Sequence, residues 1–116
     1  MFFPSHTRVY LAAGSTDMRK SINGLSILVS EHLEMDPLSG HLYVFCNRRK
    51  NMIKVLYWDR NGFCLWHKRL EKQRFKWPRS EKDVCEIDHR QFGWILEGLD
   101  IHHVRGHNIL KYATVY

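Results

Sequence analysis

Asp59, Glu97 and Asp100 are the carboxylates that would have to serve if this chain cut or joined nucleic-acid strands. Such chemistry needs an acidic triad holding two metal ions, which position the attacking and leaving oxygens. Each of the three has a plainer role: Asp59 precedes Asn61-Gly62 in a tight turn, and Glu97 and Asp100 fall at the end of a helix. At 116 residues the chain is also short for a nuclease fold plus a DNA-binding surface. His103 and His107 are four apart, a spacing that on a helix would turn two imidazoles toward one metal. Gly106 between them and the β-rich composition of the tail argue against a helix there. Cys64 and Cys85 lack a companion at ligand spacing, and no G-x-x-x-x-G-K-[ST] phosphate loop is present. No Ser/His/Asp or Cys/His arrangement has a useful spacing either. The expectation is a protein with no catalytic residues, no metal site and no cofactor.

The cations are a stronger signal. Residues 46–79 hold eleven lysines and arginines against two acids, a local +9 in a chain of net charge +6, so the remainder is mildly negative. That asymmetry is the footprint of a protein that binds nucleic acid or polyphosphate. The plainer account is a solvated face, since edge strands are often protected with lysine. Trp58, Trp66 and Trp77 lie in the same stretch and are expected to pack rather than to stack on bases.

The elements that would position these side chains can be read from periodicity. Residues 7–12 (TRVYLA) alternate and form a short strand ended by Gly14. Ser15 or Thr16 can cap a helix whose apolar stripe is Met18, Ile22, Leu25, Leu28, Val29 and Leu33, running to about His32. Gly24 inside it suggests close approach to a neighbouring backbone. Arg19 and Lys20 fall in the first turn of that helix, where cations oppose the helix dipole at a cost of a few tenths of a kcal/mol. Either Asp17 offsets this locally or an anion is held at the helix start. Residues 36–40 (DPLSG) turn the chain into antiparallel strands at 42–46, 52–58 and 63–70, with a hairpin loop of two residues (Asn61, Gly62) or four (Asp59–Gly62) and 74–77 as a fourth short strand. Residues 79–88 read as a loop. Asp88 and Gln91 form a capping-box pattern that opens a second helix of about three turns, over 88–99, with Phe92, Ile95, Leu96 and Leu99 apolar. A tail, 100–116, is apolar enough to dock. The whole is one α+β domain: a mostly antiparallel sheet of four to five strands with two amphipathic helices covering one face.

Hairpin parity sorts the central strands. Ile53, Val55, Tyr57, Cys64, Trp66 and Leu70 share one face with Lys68, and this face reads as core. Met52, Lys54, Leu56, Trp58, Phe63, Leu65, His67 and Arg69 share the other, which is aromatic near the turn and cationic at its far end. The link Arg48-Arg49-Lys50 lies at that far end. The candidate DNA-contacting residues are therefore Arg48, Arg49, Lys50, Lys54, Arg69, Arg74 and Lys76, in the basic segment 47–79, with Arg19 and Lys20 as a secondary anion contact.

Several strings also resemble a known family. They are Asn47-Arg48-Arg49, residues 53–59 (IKVLYWD), 62–66 (GFCLW), 68–71 (KRLE) and 75–78 (FKWP). Asp17-Met18-Arg19-Lys20 with Gly24-Leu25, residues 36–41 (DPLSGH) and 96–100 (LEGLD), and His107, Leu110 and Tyr112 extend the likeness over nearly the whole chain. Their order resembles the TnpB family of bacterial insertion sequences of the sixty-six type, also called second-open-reading-frame proteins. The resemblance implies a non-catalytic accessory role in transposition, beside the element's separate transposase and its other accessory protein. It transfers no catalytic residues, and Ser21 stands where relatives often carry glycine.

Two functions follow as expectations: phosphate-backbone binding of DNA through the basic strand surface, or an assembly module that docks on the transposase without touching DNA. A free sheet edge and the apolar tail would allow a homodimer. No apolar run reaches the roughly 20 residues of a membrane helix. The opening MFFPSHTR lacks a secretory pattern, and three cysteines without C-x-x-C spacing suit a reducing compartment, so a cytoplasmic protein without membrane contact is expected.

Overall fold

The computed structural model describes residues 6–79 and 82–101. Alternation in the sequence resolves into five strands, β1 (Val9–Ala12), β2 (Leu42–Cys46), β3 (Met52–Asp59), β4 (Gly62–Arg69) and β5 (Val84–Ile87). They form a single sheet in the order β4-β3-β2-β1-β5. β1 and β2 run parallel, and the other three neighbour pairs are antiparallel. A parallel pair needs a crossover. Residues 13–41 supply it, carrying α1 (Ile22–Ile27) and a wider π-type turn over Leu28–His32. The α+β architecture is the one expected.

The helix starts later than its apolar stripe suggested. Thr16 donates its N–H to the Cys46 carbonyl at 2.8 Å, which keeps residues 13–17 along the sheet end instead of in a helical turn. Ser21, extended and without a side-chain cap bond, is the true entry to α1. Arg19 and Lys20 thus precede the helix instead of lying in its first turn. Gly24 is close to something other than backbone: an added Cβ would lie 3.3 Å from the Lys20 stem.

The two helices lie on opposite faces, not on one. Leu25, Val29 and Leu33 pack with Tyr43, Phe45 and Leu56 on one side of the sheet. Phe92 and Ile95 of α2 (His89–Leu96), with Phe75 and Ile101, pack on Val9, Leu11, Val44, Ile53 and Val55 on the other. The face expected to be half aromatic and half cationic is therefore also core around Leu56.

The β3–β4 register pairs Trp58 with Phe63 and Met52 with Arg69, so the parity assignment of side chains holds. The turn lies within residues 59–62, centred one residue before the Asn61-Gly62 alternative. Asp59 pairs with Gly62, and the two linking residues are Arg60 and Asn61, with Arg60 at φ 53°. Residues 74–77 are extended but join no ladder among the described residues. Phe75 instead gives its N–H to the Lys50 carbonyl at 2.7 Å and buries its ring to 1 % exposure. The stretch read as a loop contains β5, whose partner is β1, from Val9↔Ile87 to Ala12↔Val84.

α2 opens with the expected capping box: the Asp88 carboxylate accepts from the Gln91 N–H at 2.8 Å, and the Gln91 amide oxygen accepts from the Asp88 N–H at 3.0 Å. It closes a turn sooner than expected. Gly98 at φ 83° gives its N–H to Ile95, and Leu99 gives its N–H to Trp94, a paired stop that only glycine enters without strain. Leu99 is left 41 % exposed. The proposed tail lies outside the described residues from 102 onward. No described helix is long and apolar enough to cross a membrane.

Two outcomes test this packing. Phe75→Ala, outside any strand, should lower the unfolding free energy in urea by about 3–5 kcal/mol, whereas Leu99→Ala should change it by less than about 0.5 kcal/mol. Burial pushes the Cys46 thiol up from 9.0 to about 12. The folded state therefore holds its proton more tightly than the unfolded chain. The resulting stability is intact below pH 9 and is lost as pH rises from there toward 12. In the native protein at neutral pH, a thiol reagent should label Cys46 last of the three free cysteines, which absorbance during unfolding would reveal.

Candidate nucleic-acid interface

The cations gather where the chain leaves two parallel strands. β1 and β2 both point their carboxyl ends at the same rim, so the segments after them, 13–17 and 47–51, lie side by side and are tied by the Thr16–Cys46 bond. Asn47 builds the second segment. Its amide oxygen accepts the N–H groups of Asn51 and Met52, both at 3.1 Å, and its amide nitrogen donates to the Asn51 side chain at 2.7 Å. Lys50 closes the turn with an N–H bond to the Asn47 carbonyl and pays for it with a positive φ of 58°. A non-glycine residue there is strained by about 1 kcal/mol. The result is a rigid loop with Arg48, Arg49 and Lys50 all exposed.

A third segment completes the rim. Phe75 is drawn onto the Lys50 carbonyl, and Trp77 gives its indole N–H to the Ala12 carbonyl at 3.1 Å. These two bonds lay residues 74–79 across the sheet end and turn Arg74, Lys76 and Arg79 outward. Three adjoining depressions of about 400, 480 and 520 Å³ run along this corner. Arg48 lies between the first and third, and Lys50, Trp77 and Arg79 lie between the first and second. Among the described residues, Arg48, Arg49, Lys50, Arg74, Lys76 and Arg79 make no ion pair.

Four other cations are occupied. The Lys54 ammonium donates to the Met18 and Lys20 carbonyls, each at 2.9 Å, and so staples the segment before α1 to β3 instead of facing outward. Arg69 pairs with Glu71 at 3.0 Å. Arg19 forms a fork on Asp17, with one contact of 2.6 Å, and its hydrogen bonds hold the Asp17 carboxyl well below the usual carboxylate range. Lys68 donates to the Leu96 carbonyl at 2.8 Å, clamping α2 to β4. Of the sequence candidates, the structure thus brings Arg48, Arg49, Lys50, Arg74 and Lys76 together and leaves Lys54 and Arg69 out. Lys20 stays exposed beside Gly24. Arg79 was missed, because it follows Pro78 at the start of what read as a loop.

The indoles do structural work. Trp58 meets Phe63 edge-on with centroids 5.1 Å apart, and Trp66 packs against the larger apolar cluster. No group of three or more His, Cys, Asp or Glu among the described residues is placed to hold a metal ion. His103 and His107 lie outside them.

Fold and site define a small α+β protein with a cationic cleft at the carboxyl ends of two parallel strands. A family model described as IS66 Orf2 like protein matches residues 7–106. The chain belongs to that family, which implies an accessory protein of an insertion sequence. It is 40 % identical over 98 residues to the uncharacterized protein y4hO of Sinorhizobium fredii (strain NBRC 101917 / NGR234), covering 84 % of this chain and 85 % of that one. It is 32 % identical over 93 residues to y4jC of the same strain, covering 80 % of each. No solved structure matches.

The corner's architecture can be tested separately from its charge. Asn47→Ala should cost about 1–3 kcal/mol in urea unfolding, since several loop hydrogen bonds lose their partner together. Lys50→Gly should leave stability unchanged or raise it by up to about 1 kcal/mol by relieving the positive φ, even though it deletes a cation.

Proposed function

We propose that this protein is a non-catalytic accessory factor of transposition that binds DNA phosphates through the corner formed by Arg48, Arg49, Lys50, Arg74, Lys76 and Arg79. The observation that carries this reading is their convergence: six exposed cations from two separate segments face one cleft with no ion-pair partner among the described residues. Phosphate contacts of this kind give affinity and register without reading sequence. Choice of site then falls to the element's separate transposase, its other accessory protein, or a few base contacts. A role on bacterial DNA puts the protein in the cytoplasm.

A second reading has its own observation. Ile27, on α1, and Leu38, after it, are more than half exposed. Apolar residues so placed favour a docking surface for the transposase, with no direct DNA contact required.

Fluorescence anisotropy across a salt series separates the two. Six phosphate contacts predict a log–log slope of about −5 on duplex DNA, and about −4 on a single strand. Reversing Arg48, Arg49 and Lys50 to Glu should abolish DNA binding and leave transposase pull-down intact. Salt-independent binding, or none at low salt together with loss of the pull-down, would favour the docking reading.

A further inference from the structure

The basic corner is concave, and each of its depressions has the size of a small-molecule site rather than of a duplex seat. Duplex DNA is convex, and base readers meet it with a projecting helix or two-stranded ribbon that enters a major groove about 12 Å wide. Among the described residues no such element stands at this corner. α1 and α2 lie flat on the two faces of the sheet. The β3–β4 ribbon projects its turn, residues 59–62, at the end opposite residues 47–51.

Trp77 lies in the wall of both the first and the second depression. Trp77 is partly buried against the core cluster, and its N–H is anchored to the Ala12 carbonyl. The ring is therefore fixed while part of its surface lines the cleft, with Pro78 beside it. Arg48, Lys50 and Arg79 flank it in the first depression, and Arg74 and Lys76 in the second. A fixed aromatic surface between cations is how proteins grip unpaired strands: bases stack, and phosphates follow the charges.

Resting on the DNA-binding reading above, we propose that the corner takes an unpaired DNA strand rather than intact duplex. One base lies against Trp77, and the backbone runs from Arg48 and Lys50 toward Arg74 and Lys76. The packing role of Trp77 is unaffected, because stacking uses only the surface that already faces the cleft.

The test compares a labelled oligonucleotide of about 16 nucleotides as a single strand and as a duplex, by anisotropy at one salt concentration, alongside quenching of intrinsic fluorescence. The single strand should bind about tenfold more tightly and quench part of the tryptophan emission. Trp77→Phe, which keeps an aromatic ring on the core, should remove that quenching component and most of the preference while retaining residual binding through the cations. Thermal unfolding of the variant would verify that it folds. Should it not, the preference and quenching of the unaltered protein still decide the matter. Equal or tighter binding of duplex, or quenching that survives in Trp77→Phe, would overturn this inference while leaving DNA binding standing. Failure to bind either form would overturn the underlying function instead.

Discussion

β2 is buried on both faces, and that constraint organises everything around it. Leu42, Tyr43, Val44, Phe45 and Cys46 are each at most 1 % exposed. A strand with apolar residues on every position cannot lie in a one-layer cover, because successive side chains point to opposite sides. The chain meets this demand by sending its crossover over one side and α2, with residues 70–77, over the other. Covering the second side requires an extended segment to travel back across the sheet end. That traverse is what delivers Arg74, Lys76 and Arg79 to the loop after β2. The cationic cleft is thus a by-product of how the core is closed.

Much of this was legible in local patterns. Hairpin parity follows from the strict two-residue alternation of strands, so the sorting of Ile53, Val55 and Trp66 away from Leu56 and Phe63 held whichever residues of 59–62 made the turn, and Arg60-Asn61 make it. The capping box at Asp88 and Gln91 is likewise a local rule with a local outcome. Features set by distant partners were not legible. β5 is four residues in a polar stretch, and only its pairing with β1 makes it a strand. The parallel association of β1 and β2 leaves no mark within either strand. The alternation of Arg74, Phe75, Lys76 and Trp77 looks like a strand, but Phe75 spends its N–H on Lys50 instead of a ladder.

The site was half legible for the same reason. Charge density drew attention to residues 47–79, yet density does not say where an ammonium points. Lys54 sits in mid-strand beside other cations and turns toward the Met18 and Lys20 carbonyls, an arrangement visible only once α1 is packed. Arg69 finds Glu71 two residues on, a pairing that sequence adjacency could have suggested. Arg79 needed the bond between Trp77 and Ala12 to be placed at all.

The two hydrogen bonds made by Lys54 have a mechanical consequence. They weld the stretch leading into α1 onto the third strand, while the backbone link from Thr16 to Cys46 fastens the same stretch to the second. The backbone of residues 16–20 therefore forms one stiff wall beside the third depression, its shape settled before anything arrives. A ligand of the kind proposed above would meet a preset mould there and forfeit little of the chain's freedom on docking.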